Sequence, residues 1–210
     1  MKRADKRDYL IDVAMQMFNR GGFRGTGIDE IMAKTGIAKT TLYRHFASKD
    51  DLIVAALAKS DEATRDELRT FVERASSDPR ERLLATFDQL DNWIKDGEFK
   101  GCPFVAAASE FADVTHPIFQ QVRMHKRLYL AYFEELVHAA RIADPKRVAA
   151  QILMLHEGAV AFAQILGADD ASFSKARGAK SVASIARDAA ERLIDTAEID
   201  GMPAERSSAS

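Results

Sequence analysis

Residues 36–52 read GIAKTTLYRHFASKDDL, and the pattern of this segment indicates the fold of the N-terminal region. We expect a short helix before it, with Thr26 as N-cap, and a second short helix from just after Ile37 to about Phe46. Two short helices joined by a tight turn, here at Gly36, are typical of a helix-turn-helix motif. The apolar positions expected to pack inward are Ile31, Ile37, Leu42 and Phe46.

The outward face of the second helix is polar and basic, because it carries Lys39, Thr40 and Tyr43 and then Arg44 and His45. A helix of about nine residues is about 13 Å long and fits a major groove about 12 Å wide. Lys39 and Thr40, early in this helix, can donate to guanine O6 and N7 or contact a thymine methyl. The donors predicted to contact phosphate oxygens are Thr41, Tyr43, His45 and Lys49, together with the hydroxyl and backbone N–H groups of Thr26. Each of these residues alone is more often a solvated surface residue, but together they indicate DNA binding.

The charge distribution favours the same end of the chain. Residues 1–59 contain 11 Lys/Arg against 7 Asp/Glu, a balance of +4, although the formal net charge of the whole chain is −2. The remaining residues therefore carry a balance of −6. A basic front and an acidic back suggest that only the front meets a polyanion.

Helical periodicity continues along the rest of the chain, and no alternating strand pattern persists. We therefore predict an all-α fold of about nine helices. The other helices are expected at about 5–20, 49–75 (opened by Ser48), 79–96 (opened by Asp78), 103–113, 117–141, 145–167 and 173–196. The expected domains are a helix-turn-helix DNA-binding domain at 1–47, a ligand-binding and dimerisation domain at 48–200, and a disordered tail at 201–210.

Residues 18–57, FNRGGFRGTGIDEIMAKTGIAKTTLYRHFASKDDLIVAAL, resemble the DNA-binding domain of TetR-family transcriptional regulators. The resemblance implies an all-helical fold in which three N-terminal helices hold the helix-turn-helix and a fourth leads to a larger ligand-binding and dimerisation domain. Met32 departs from the small residue that family members often carry, which is expected to alter slightly the angle between the two helices. The DNA-contacting positions implied by the resemblance are Thr26, Ala38, Lys39, Thr40, Thr41, Tyr43, His45 and Lys49.

The larger domain resembles the family in architecture, and residues 99–111, FKGCPFVAAASEF, are similar to a segment of one subset. Its helices carry aromatic and hydrogen-bonding side chains that suit a medium-sized apolar or aromatic effector. The candidate ligand-binding residues are Trp93, Phe104, His125, Tyr129, Tyr132 and His156. The alternative is that these residues simply form core. A cationic aromatic effector, bound by one or two of Asp88, Asp91, Glu110, Asp113 and Glu157, is a second possibility.

The single cysteine, Cys102, cannot form an internal disulfide, so a reducing compartment is expected. It has no adjacent base in the sequence, which argues against a redox-sensing thiol. The five histidines lack a ligand pair at close helical spacing, and no second cysteine can join them, so neither a metal site nor a cofactor is expected. No apolar run approaches the roughly 20 residues of a membrane span, which predicts a soluble, cytoplasmic protein without a membrane partner.

The last two long helices are rich in alanine and remain apolar on more than one face, which indicates a partner chain. One helix-turn-helix reads few base pairs, so we expect a homodimer on a palindromic double-stranded DNA operator. The TetR resemblance implies the same dimer, formed by a four-helix bundle. We expect a repressor that is released by a small, mainly apolar or aromatic effector. The alternatives are a ligand-blind DNA-binding or activating protein and, third, an enzyme, which no nucleophile elbow, glycine loop or metal spacing supports.

Overall fold

The computed structural model describes residues 3–167 and 181–197, and every regular element in those residues is a helix. The prediction of an all-α fold is confirmed. The nine helices in these two ranges are α1 (Arg3–Gly21), α2 (Ile28–Thr35), α3 (Lys39–His45), α4 (Lys49–Ala75), α5 (Pro79–Lys95), α6 (Pro103–Glu110), α7 (Pro117–Ala139), α8 (Pro145–Leu166) and α9 (Val182–Thr196).

Most helix ends agree with the sequence-based expectation to within two residues, but α6 is shorter than predicted. It ends at Glu110 instead of 113, because Phe111 leaves the helical region with φ −120° and ψ 66°. Asp113 then accepts hydrogen bonds from the N–H and hydroxyl of Thr115 in the following turn. The expected helix start at 173 and the tail at 201–210 lie outside the described residues.

Two of the predicted caps are present, and one is wrong. The Asp78 carboxylate accepts the N–H of Arg80 at 2.8 Å, and the Ser48 hydroxyl oxygen accepts the N–H of Asp51 at 3.1 Å. At α2, however, the N-cap is Gly27 and not Thr26. The Thr26 side chain turns back and donates to the carbonyl of Gly22 at 2.8 Å, so it closes the turn that precedes α2.

The chain divides into two compact units. Unit 1 comprises Met1–Glu67 and Lys100–Leu128, and unit 2 comprises Leu68–Phe99 and Tyr129–Ser210. Helices α4 and α7 therefore contribute a segment to each unit. The functional division at residue 47 stays a prediction, since it concerns which residues meet DNA and not which residues pack together.

The core of unit 1 holds the three N-terminal helices together, with α1 packed on α2 and α3. Ile31, Leu42 and Phe46 are buried as predicted, whereas Ile37 in the turn is only half-buried. Full burial of such a side chain stabilises a fold by about 1.5–3 kcal/mol. The guanidinium of Arg7 lies over the Phe46 ring, 5.3 Å from its centroid, and covers the end of α3.

In unit 2, α9 packs on α8 and α5. Among the described residues one helix, α8, is long and apolar enough to cross a membrane. Core and interface helices of soluble proteins satisfy the same two criteria, so the finding does not by itself indicate a membrane span. The buried face of α8 packs on α9 and α5, which accounts for part of its apolar character.

Candidate nucleic-acid interface

The turn between α2 and α3 depends on Gly36. This residue has φ 68° and ψ 13°, in the left-handed region, and its N–H donates to the Met32 carbonyl at 2.9 Å. The space around Gly36 is open, but residues with a side chain are strained in this conformation, which is why glycine commonly ends a helix in this way. The turn allows α3 to begin three residues later, at Lys39.

Helix α3 has an inward side and an outward side that differ in polarity. Leu42 and the following Phe46 are buried and anchor the helix. The residues that remain exposed on α3 and at its N-cap are Ala38, Lys39, Thr40, Tyr43 and Arg44, and Thr41 and His45 are half-buried. The sequence carries no acidic residue in this helix, so its outward face presents hydroxyl and cationic donors suited to a polyanion.

Lys39 forms an ion pair across the motif. Its ammonium lies 3.6 Å from the Asp29 carboxylate on α2, and both side chains are well exposed. Exposed pairs of this kind contribute about 0–1 kcal/mol. The pair therefore orients Lys39 without preventing it from exchanging Asp29 for a base edge or a phosphate.

Two of the candidate phosphate contacts are engaged inside unit 1. The Lys49 ammonium donates to the Arg24 carbonyl at 3.0 Å, which leaves it two further N–H donors. Thr26 is 3% exposed and its one hydroxyl hydrogen is shared between the carbonyls of Gly22 and Met17. A phosphate contact by Thr26 would have to displace these bonds, and its role in DNA binding stays a prediction.

Two of the candidate effector residues meet in unit 1. The rings of Phe104 and His125 stack with centroids 3.5 Å apart and planes 6° from parallel. His125 Nδ1 lies 2.7 Å from the Asp61 carboxylate, which also accepts two N–H groups of Arg65. The bond to Asp61 raises the pKa of the Arg65 guanidinium. Phe104, His125 and Asp61 are all buried, so this is a charged network inside the helical core.

The other four candidates lie in unit 2 and are not gathered in one place. His156 is buried among aromatic rings, with the centroids of Phe87 and Phe133 both at 5.6 Å and that of Tyr129 at 6.3 Å. Tyr132 instead lies under the guanidinium of Arg69, 4.5 Å from its ring centroid.

Burial raises the pKa of the Tyr132 phenol to about 12, so the phenol stays protonated at neutral pH. The rings of Trp93 and Phe99 are nearly perpendicular, with centroids 4.9 Å apart.

Several acidic residues considered for a cationic effector have partners within the chain. Asp88 pairs with Arg187 at 3.4 Å, and Asp91 pairs with Lys95. Glu110 accepts backbone N–H groups of the turn between α1 and α2. Sequence reasoning missed this last contact because its partners are separated by more than 80 residues. It also missed a positive charge beside Cys102, because the ammonium of Lys126 lies 3.7 Å from the thiol sulfur.

Two protein-family models match the chain. Residues 10–56 match the model described as bacterial regulatory proteins of the tetR family, and residues 79–179 match the model of the tetracyclin repressor-like C-terminal domain. The first match spans the helix-turn-helix and its flanking helices. The second covers most of the helices that follow.

Individual proteins agree with these models. The HTH-type transcriptional regulator YjdC of Escherichia coli is 23% identical over 153 residues, which cover 73% of this chain and 80% of YjdC. The HTH-type transcriptional repressor NemR of the same species is 25% identical over 138 residues, 65% of this chain and 69% of NemR. The crystal structure of SCO4454, a TetR-family transcriptional regulator from Streptomyces coelicolor, superposes with a TM-score of 0.78 at 26% identity, over 91% of this chain and 95% of SCO4454.

Regulators of this family are soluble DNA-binding proteins and not enzymes, and they bind operators, dimerise and take up small-molecule effectors. The resemblance of residues 18–57 to the DNA-binding domain of the family is thus confirmed, and a second match extends the family likeness to residues 79–179. The protein belongs to the TetR family of DNA-binding transcriptional regulators.

Proposed function

We propose that this regulator is a cytoplasmic repressor that binds a palindromic operator as a homodimer and is released by a small, mainly apolar or aromatic effector. The observation that carries the proposal is the two-sided character of α3. Its apolar side is buried in unit 1, and its hydroxyl and cationic side chains remain exposed. The name of the relative NemR, a transcriptional repressor, supports the sign of regulation.

The exposed side chains divide into two roles. Lys39 and Thr40 stand in the first turn of α3, where the recognition helix of such motifs contacts base edges. The residues assigned to the DNA backbone are Thr41, Tyr43, His45 and Lys49, with Thr26 in the preceding turn. Ala38, at the N-cap of α3, is a proposed DNA contact that is assigned to neither role. The two roles predict different consequences, because a lost base contact changes sequence preference and a lost phosphate contact does not.

Helix α8 supplies the surface for a second copy. Met154, Gly158, Ala161, Phe162 and Ile165 follow helical spacing along one face. Of these, Met154, Phe162 and Ile165 are large apolar side chains that are 65%, 54% and 79% exposed. Pairing this face with the same face of another chain, together with α9, would bury it around a two-fold axis. Such a dimer would place two α3 helices about 34 Å apart, one turn of DNA.

The proposed effector acts through a population shift. A compound that binds more tightly to a dimer whose recognition helices have the wrong spacing lowers the population able to bind the operator. Coupling of about 1–3 kcal/mol is typical of such linkage. Each of the six candidates, Trp93, Phe104, His125, Tyr129, Tyr132 and His156, stays a proposed effector contact. Among them Tyr129 and His156 meet in unit 2, and the aromatic rings around His156 favour an apolar or aromatic compound.

The test begins with the DNA that flanks the coding sequence, which is searched for a palindrome and used in a binding assay with the full chain. We expect binding to the palindrome that is at least about a thousandfold tighter than to scrambled DNA at the same salt concentration. Apolar, aromatic and cationic aromatic compounds are then titrated against the complex. Release by an apolar or aromatic compound supports the proposal. Release only by cationic compounds would reassign the effector, and release by none would favour the ligand-blind alternative.

A further inference from the structure

The C-terminal end of α6 is joined to the turn between α1 and α2, residues 22–27, here called the α1–α2 turn. The backbone N–H of Phe23 donates to Glu110 Oε1 at 2.9 Å, and the backbone N–H of Arg24 donates to Glu110 Oε2 at 2.6 Å. Both oxygens of one carboxylate are thus used on two successive backbone donors. All of these residues belong to unit 1.

The contact is reciprocal. Arg24 Nε donates to the backbone carbonyl of Glu110 at 2.7 Å, and the Arg24 guanidinium lies 4.8 Å from the centroid of Phe111. The last carbonyls of a helix lack partners within the helix, and a cation there also complements the helix dipole. Arg24 therefore holds the end of α6 while Glu110 holds the turn.

The turn is shaped for this close approach. Gly22 has φ 78°, and a Cβ atom added to it would lie 3.2 Å from Glu110 Oε1. Glycine supplies both the left-handed conformation and the space for the carboxylate. The sequence FNRGG before Phe23 therefore has a tertiary role beyond ending α1.

Contacts continue from the α1–α2 turn to the DNA-binding helices. Phe23 is fully buried and stacks on Phe18 of α1 with centroids 5.3 Å apart. The Arg24 carbonyl accepts the Lys49 ammonium at the start of α4, and Thr26 closes the turn just before α2 begins. A displacement of the turn would consequently move α2, which carries α3 behind it.

We propose that Glu110 is a positioning residue that ties the orientation of the helix-turn-helix to the end of α6. The orientation of α3 then depends on the contact that Glu110 makes with the α1–α2 turn. This inference rests on the proposed operator binding. Glu110 does not contact DNA in the proposal, and it acts by holding Phe23 and Arg24.

Substitution of Glu110 tests the contact, because loss of the contact should weaken DNA binding whereas loss of the negative charge alone should not. Glu110→Gln keeps the size of the side chain but leaves one acceptor oxygen, and it presents an NH2 group to the second backbone donor. By charge alone, removal of a carboxylate should leave DNA binding unchanged or strengthen it. The matched control is Glu67→Gln, which makes the same charge change at an exposed site of unit 1.

We expect Glu110→Gln to bind the operator about tenfold more weakly than Glu67→Gln, as a lost charged hydrogen bond would produce. Binding to scrambled DNA should be the same for both variants. Amide hydrogen exchange at Phe23 and Arg24 should accelerate in Glu110→Gln and not in Glu67→Gln. If the two variants bind the operator equally, or if the two amides keep wild-type exchange, the inference is overturned.

A second variant, at Arg24, tests the same contact in case Glu110→Gln does not fold. Arg24→Lys keeps the positive charge but loses the Nε donor and the planar group over Phe111, and it should weaken operator binding about threefold to tenfold with helicity retained. If Glu110→Gln fails to fold, wild-type operator affinity for Arg24→Lys overturns the inference. Failure of the wild-type chain to bind any operator would count against the proposed function, and the exchange of the Phe23 and Arg24 amides would still decide whether Glu110 holds the turn.

Discussion

The exposed face of α3 and the exposed face of α8 differ in chemistry. The α3 face presents an ammonium, hydroxyls and a guanidinium, whereas the α8 face presents a thioether, a phenyl ring and an isoleucine side chain. Water solvates the first face well, so its partner is inferred from charge and hydrogen-bonding capacity. Water solvates the apolar α8 face poorly, so the exposure of its large side chains itself indicates a partner. The two surfaces therefore require different partners, and substitutions on them should impair different steps, DNA recognition at α3 and chain association at α8.

The largest effect should come from a charge placed on the α8 face. We expect Ile165→Glu to convert the proposed dimer to monomer at micromolar concentration and to weaken operator binding by more than about a hundredfold. The reason is that the carboxylate would be buried against an apolar partner and that a monomer reads only one half-site. Sedimentation and operator titration of the same preparation measure both quantities.

The matched control for the α8 variant is Met124→Glu on α7, which places the same charge at an exposed apolar position outside α8. It should remain dimeric. A dimeric Ile165→Glu protein, or an equally monomeric control, would show that the α8 face does not mediate the association.

A smaller effect is expected from Lys39→Ala on the α3 face. Loss of a base-reading contact costs about 1–3 kcal/mol, which corresponds to roughly a fivefold to 150-fold weaker operator complex. The preference at one or two base pairs should relax as well. Titrations against operators with single substitutions measure both changes. Lys146→Ala on α8, an exposed lysine in unit 2, removes the same charge and should leave the preference intact.

The smallest effect is expected from Tyr43→Phe. Tyr43 is 44% exposed, so loss of its hydroxyl should leave the fold unchanged. A hydrogen bond donated by an uncharged, exposed hydroxyl contributes about 0.5–1.5 kcal/mol, and its loss should weaken binding to operator and to scrambled DNA by a similar, few-fold factor. Because no cation is removed, the slope of affinity against salt concentration should not change. A selective loss of operator binding would place Tyr43 among the base-reading residues.

The sequence predicted what depends on neighbouring residues. The caps at Ser48 and Asp78 are local hydrogen bonds, and the bounds of α4 follow from one of them. The turn at Gly36 and the outward polarity of α3 follow from periodicity over about ten residues. The N-cap of α2 is Gly27, one residue after the predicted Thr26, because glycine can also occupy an N-cap position without a capping side chain.

Contacts between distant residues could not be predicted in this way. His125 meets Asp61 across 64 positions, and Glu110 meets Arg24 across 86. Nothing in the spacing of either pair distinguishes it from a pair of solvated side chains. The same is true of the candidate effector residues. Periodicity assigns them to apolar helix faces, but it does not reveal that Tyr132 lies against Arg69 and not among the rings around His156.

The contact of Glu110 with backbone N–H groups has a consequence for the exchange of parts between related regulators. Any non-proline residue at positions 23 and 24 presents the same two donors, so the contact constrains the path of the chain more than the identity of those side chains. A foreign segment grafted in place of residues 1–47 should keep the connection if it has a glycine at position 22 and a turn of equal length. A chimeric regulator built with a longer turn should fold, but Glu110 should no longer position its helix-turn-helix.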